Sequence, residues 1–162
     1  MPPQSLQHAA RSGVPTKASP RATLRLVGAG VAAACWGVLG LAWSVSPSPA
    51  GYGTHEQLHL PPCSLLVRTG YPCPTCGLTT SMAAMARGRV LAAVRAQPFG
   101  PALFAGLAAL AAAGTVQLLT GRPAIAKLRV RWWWAPAALA GLLAGWGAAV
   151  LAGIAAGRLP VR

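Results

Sequence analysis

The sequence predicts an all-α membrane protein, with three transmembrane helices and two short interfacial or re-entrant helices between the first and second. Two observations carry that prediction. The chain has 162 residues, of which 54% are hydrophobic and 9% charged, against about 25% charged in an ordinary soluble domain. The apolar residues also gather into three runs long enough to cross a bilayer. A chain this short has nothing to bury three such helices against except lipid and one another.

Residues 1–23 lack apolar periodicity. The first twenty hold four Pro and four Ser or Thr among basic groups, which predicts a disordered basic tail. The first apolar run, Leu24 to Val45, has twenty-two residues with only Arg25 charged, at its edge. At about 1.5 Å per residue it spans the ~30 Å hydrocarbon layer. The run is too long for the apolar region of a signal peptide, about 7 to 15 residues, so an uncleaved anchor is expected. Ser46-Pro47-Ser48-Pro49 stops this helix.

The second span covers residues 98–119, introduced by Pro98. Residues 120–131 form a basic loop, and the third span covers 132–157, ahead of a short C-terminal tail at 158–162. Trp132, Trp133 and Trp134 stand beside Arg129 and Arg131, as in an interfacial aromatic belt, and Trp43 suits the same duty at the far end of the first span. Gly141 and Gly145 are four apart, as are Gly153 and Gly157. That spacing permits close packing against the first two helices, or against a second copy of the chain.

The formal net charge is +13, from 14 Lys and Arg against the single acid Glu56. Nucleic-acid binding is excluded by position, because the basic residues flank the apolar runs instead of forming one stripe. The tail and the 120–131 loop are the densest basic flanks. By the positive-inside rule both face the cytoplasm, which puts the N-terminus inside and the segment 46–97 outside. Cysteines in that segment then meet an oxidising exterior.

The chemistry-bearing residues lie in residues 46–97. His55, His59 and Cys63 come first, then Cys73-Pro74-Thr75-Cys76-Gly77-Leu78-Thr79-Thr80-Ser81. Cys35 stands alone in the first span, as a small buried hydrophobe. Short helices are expected at about 76–86, where Leu78, Met82 and Met85 share a face, and at 90–96, with Leu91 and Val94 as apolar contacts. Thr75 is a candidate cap for the first of these. Cys76 would then sit in its first turn, where the helix dipole lowers a thiol pKa.

Several readings of this segment stay open. Cys63, Cys73 and Cys76 with His55 or His59 make a three-Cys, one-His set of the kind that holds structural zinc. Cys63 is also close enough in sequence to pair with Cys73 or Cys76 as a disulfide. Cys73 and Cys76 have the spacing of a redox pair. Thr79, Thr80 and Ser81 would line an anion or ligand site at the helix start. With one carboxylate side chain in the whole chain, no acid–base carboxylate pair exists, and there is no phosphate loop or nucleophile elbow.

The run Pro72 to Thr80, with Arg87-Gly88 and Gln97-Pro98 ahead of an apolar helix, resembles the bacterial membrane family catalogued as domain of unknown function 2752. Its signature is a Cys-Pro-x-Cys-Gly-x-Thr core between membrane helices. Cys73, Pro74, Cys76, Gly77 and Thr79 match it, while Thr80 stands where many members have Arg, and Gln97 where many have Asn. The resemblance covers roughly residues 53 to 119. It implies a multi-pass protein of the bacterial plasma (inner) membrane, and no activity.

The leading reading is thus a small structural or accessory membrane protein, not an enzyme, with a Cys/His segment stabilised by a disulfide or a metal such as zinc. Its partners would be the lipid bilayer and either a membrane protein or a second copy. The alternatives are a membrane thiol-redox or metal-dependent enzyme component using Cys73 and Cys76, and a subunit of an oligomeric transporter. Three helices form too small a bundle for a transport path alone, and no run has a central ionisable residue.

Overall fold

The computed structural model describes residues 19–128 and 131–157. The expected basic tail therefore lies mostly outside the described residues, as does the C-terminal tail at 158–162. The described residues are helical throughout, joined by turns. Helix α1 is Pro20–Ser44, and after a short 3-10 turn at Thr54–Leu58 come α2 (Ser64–Thr69), α3 (Leu78–Ala86) and α4 (Val90–Ala96). Helix α5 is Gly100–Thr120, a second 3-10 turn covers Ile125–Leu128, and α6 is Trp134–Ala155. Helices α1, α5 and α6 are long and apolar enough to span a membrane, so the chain is a multi-pass membrane protein.

Helix α1 starts ahead of the apolar run. Ser19 caps it by accepting the Ala22 N–H at 3.2 Å, and Pro20 occupies the first turn, where its missing N–H costs nothing. Helix α5 closes on Gly121 in the left-handed conformation, whose N–H reaches the Gln117 carbonyl. The region between α1 and α5 holds more helix than the sequence predicts, through α2 and the first 3-10 turn.

The core is the seam between α1 and α5, the most extensive helix pairing in the molecule. Cys35, Leu39 and Ala42 of α1, Met82 of α3 and Ala111 of α5 are buried there, so Cys35 is the small buried hydrophobe expected. Small residues bring the two backbones together. A Cβ on Gly28 would stand 2.7 Å from the Leu118 nitrogen, and one on Gly114 would stand 2.9 Å from the Ala32 nitrogen. Polar side chains also tie the two helices together. The Trp36 indole donates to Thr115 Oγ1 at 3.2 Å. Buried Gln117 donates to the Leu24 carbonyl at 3.0 Å and accepts the Ile125 N–H at 3.2 Å.

Helix α3 packs on both α1 and α5, with Ser81, Ala83 and Ala84 fully enclosed. Helix α4 runs back against α3. It buries Ala93 and exposes Leu91 and Val94, so the expected apolar contacts of this helix point outward. Their exposure follows from its length: seven residues offer one inward face, and Ala93 is small enough to sit on α3. Helix α6 is the least buried of the three spans. Its Gly141 and Gly145 do approach the rest of the chain, at Phe99 and Gln97 where α5 begins, while Gly157 faces open space. Trp132, Trp133 and Trp134 are exposed, as belt residues would be.

Candidate metal centre

Cys63 immediately precedes α2, and its carbonyl accepts the Val67 N–H at 3.0 Å. Helix α2 ends on Gly70, which takes φ +77° and donates its N–H to the Leu66 carbonyl. The left-handed turn reverses the chain. Six helical residues advance about 9 Å, and three extended ones return about 10 Å. Cys73 is thereby brought back beside Cys63.

The chain then makes a tight turn, with the Cys76 N–H donating to the Cys73 carbonyl at 2.9 Å and the Leu78 N–H to the Thr75 carbonyl at 3.1 Å. Gly77 follows at φ +86°, and a Cβ there would stand 2.5 Å from the Ala96 carbonyl oxygen and 3.0 Å from that of Gly51. Only glycine satisfies both the backbone angle and the space. Gly77, not Thr75, is the residue flanking α3. Cys76 therefore lies in the turn and not in the first turn of the helix.

The result is a cluster of three half-buried thiols. The Sγ atoms of Cys63, Cys73 and Cys76 all lie within 4.8 Å of one another. Cys73 and Cys76 are 3.3 Å apart, and Cys73 Sγ is 3.2 Å from Thr75 Oγ1. A tetrahedral thiolate site with metal–sulfur bonds near 2.3 Å places its sulfurs about 3.8 Å apart. The cluster reaches that spacing with movements of under about 1 Å.

The three sulfurs are electrostatically unequal. The Leu66 backbone N–H pulls the Cys63 thiol down to about 6, with hydrogen bonds from Cys76 and Cys73 helping and burial opposing. Burial pushes the Cys76 thiol up to about 12, and Cys63 and Cys73 push it the same way. The lowered thiol is thus Cys63 and the raised one Cys76, whereas the sequence pointed to a lowered Cys76. The reason is local: Gly77 separates Cys76 from α3, so enclosure outweighs any help from the helix.

The candidate imidazoles are placed elsewhere. His55 lines an apolar groove with Val38, Leu41 and Met82. His59 is exposed and closes the 3-10 turn at φ +59°, its N–H bonded to the Glu56 carbonyl. Among the described residues, the grouped metal-ligand side chains are the three cysteines alone. The three hydroxyls do not converge either. Thr80 Oγ1 pairs with Thr54 Oγ1 at 2.8 Å in a buried contact, Ser81 donates to the Gln97 carbonyl at 3.3 Å, and Thr79 faces the groove of His55.

Two side chains hold the cysteine turn in place and a third closes the end of α1; the sequence assigned no contact to any of them, though Arg87 and Gln97 belong to the family pattern. Gln97 is fully buried and donates Nε2 to the Pro74 carbonyl at 3.1 Å. Its Oε1 has no partner and faces the Gly145 backbone, 3.3 Å from where a Cβ would stand. Trp146, midway along α6, donates its indole N–H to the Pro72 carbonyl at 2.8 Å. A tryptophan at mid-span, away from the interfacial belt, was the readable signal for that contact. Arg87 donates to the Trp43 carbonyl at 2.7 Å and the Ala83 carbonyl at 3.1 Å, and lies 5.8 Å from the centre of the Trp43 ring. It thereby closes the C-terminal end of α1, where helix carbonyls lack intrahelical partners.

Residues 63–111 match the family described as protein of unknown function (DUF2752). The matched stretch starts at Cys63, includes the whole thiol cluster, Gly77, Arg87 and Gln97, and ends at Ala111 inside α5. No curated protein and no solved structure matches the chain.

Proposed function

We propose that the chain is a bacterial DUF2752 protein of the inner membrane, in which Cys63, Cys73 and Cys76 bind one zinc ion in a structural or accessory role. The observation that carries this reading is the convergence of three sulfurs within 4.8 Å on a scaffold held at Pro72, Pro74 and Gly77. Thiolate-rich sites suit zinc, and one low-pKa thiol starts the deprotonation that binding requires. Three protein ligands leave a fourth position, to be filled by solvent or by a partner. In this reading the N-terminus is cytoplasmic and the cysteine segment lies outside. Helix α3, enclosed between α1 and α5, is re-entrant, and α4, with Leu91 exposed, lies at the interface.

The test is the metal content of full-length protein purified in detergent, with each cysteine replaced by serine in turn. We expect one zinc per chain, lost in Cys63→Ser, Cys73→Ser and Cys76→Ser and retained in Cys35→Ser. A metal-free protein carrying a disulfide among these three cysteines would overturn the reading.

A thiol-redox role is the second reading, favoured by the 3.3 Å approach of Cys73 and Cys76. Here the two thiols lose two electrons and two protons to an external disulfide, which is reduced to two thiols. Reversible oxidation of the Cys73–Cys76 pair by oxidised glutathione, in metal-free protein, would support it. A pair that stays reduced there would exclude it.

A further inference from the structure

A second site lies beside the thiol cluster. A cavity of about 630 Å³ is bounded by the Pro47–Tyr52 loop, α4 and the outer half of α6, with Cys76 and Thr80 in its wall. That volume is in the range of small-molecule sites. Two arginines, Arg89 and Arg95, line it. Arg89 precedes α4 and Arg95 is in its last turn.

The neighbouring Arg87 is spent on the carbonyls of Ala83 and Trp43. Among the described residues, no hydrogen bond or ion pair engages the guanidinium of Arg89 or Arg95. No carboxylate lines the cavity; Glu56, the one acid of the chain, is in the first 3-10 turn, with its carboxylate beside Gly53. Two unpaired guanidinia facing one cavity raise the potential there and attract an anion. Their planar forks suit the oxygens of phosphate.

Much of the remaining wall is small and apolar, formed by Ala92 and Ala96 of α4 and by Ala149 and Gly153 of α6. Because α6 is a membrane span, this wall continues into the hydrocarbon layer. Two cations together with an apolar wall along a span fit an amphiphile.

We propose that this cavity binds a phosphate group through Arg89 and Arg95, supplied by the headgroup of an anionic phospholipid. A free phosphate ester offers the same oxygens, so the experiment separates the two sources. The phosphate contacts stand apart from the zinc reading, since Arg89 and Arg95 are not among the proposed zinc ligands, although Cys76 is in the cavity wall.

The test uses full-length protein purified in detergent and reconstituted into nanodiscs of phosphatidylcholine alone or with phosphatidylglycerol. Lipid retention is then read by native mass spectrometry. We expect preferential retention of phosphatidylglycerol, weakened about tenfold by Arg89→Gln or Arg95→Gln, the scale of one charge-assisted contact. The Arg89→Lys/Arg95→Lys variant keeps the charge and controls for folding, and it should retain the preference in part. Ala149→Leu fills the cavity while leaving both arginines in place, and should lose retention.

Displacement by inorganic phosphate, without a lipid preference, assigns the site to a free phosphate ester. It supports the chemistry and overturns the lipid source. Equal retention of both lipids with no phosphate binding overturns the proposal. A phosphatidylglycerol preference unchanged in Ala149→Leu also overturns it, since that marks general surface charge.

Discussion

Two glycines of the same helix should respond to alanine with opposite signs. At Gly28 the added methyl would sit 2.7 Å from the Leu118 nitrogen and 2.9 Å from the Gly114 oxygen. Both are backbone atoms, so no side chain can turn aside. Restoring ordinary contact near 3.4 Å requires α1 and α5 to part by about 0.7 Å there. A gap of that size forfeits a quarter to a half of the dispersion at each neighbouring contact. Overpacking of this kind costs about 1–3 kcal/mol, offset by about 0.5–1 kcal/mol from replacing a helical glycine. At Gly40 nothing lies within 4 Å of the added methyl, so only the helix gain of about 0.5–1 kcal/mol remains. Thermal unfolding of both variants in detergent, followed by circular dichroism at one heating rate, reads the difference. Alkylation of Cys35, which is buried in the same seam, gives a second probe. Gly28→Ala should melt a few degrees below the wild type, with earlier Cys35 labelling, and Gly40→Ala at or above it. If Gly28→Ala melts as high as Gly40→Ala, the glycine-mediated seam is wrong.

The cysteine turn and its supports give three more predictions. Arg87→Ala should cost about 2–3 kcal/mol, from charge-assisted bonds to helix carbonyls and a cation–π contact, seen as a lower melting midpoint that Arg87→Lys restores in part. Gly77→Ala puts a methyl into the Ala96 and Gly51 carbonyls. It should abolish metal retention while Gly88→Ala, which carries the same left-handed backbone strain at φ +70° but has nothing within 4 Å of its methyl, does not. In metal-free protein, Cys63 forms a thiolate as the pH rises through about 6. Its alkylation by iodoacetamide should therefore climb around pH 6 and level off above it. Cys76, pushed up to about 12, should stay slow at pH 8, and peptide mapping after brief labelling distinguishes the two.

The spans were legible because each is a property of composition over about twenty residues, which needs no tertiary knowledge. Helix α3 was legible for a related reason: its apolar spacing closes over more than two turns. Helix α2, at six residues, is too short to show a period. It is nevertheless what returns Cys73 to Cys63, so the sequence could name five metal-ligand candidates without separating them. The separation rests on backbone reversals. Gly70 folds the cysteines together, while Gly53 and His59, both left-handed, bound a turn that leaves His55 in the apolar groove. The supports were harder still to read. Arg87 meets the Trp43 carbonyl across forty-four residues, and Trp146 meets Pro72 across seventy-four. The mid-span place of Trp146 signals that its indole N–H needs a partner, but neither local sequence says which partner.

Whether the three sulfurs form one metal centre is read from X-ray absorption at the zinc edge of the purified, full-length protein. We expect three sulfur neighbours at about 2.3 Å around each zinc, with one lighter atom completing the shell. A shell with two sulfurs or fewer and imidazole scattering would contradict it, because it would place His55 or His59 where the structure places Cys63, Cys73 and Cys76.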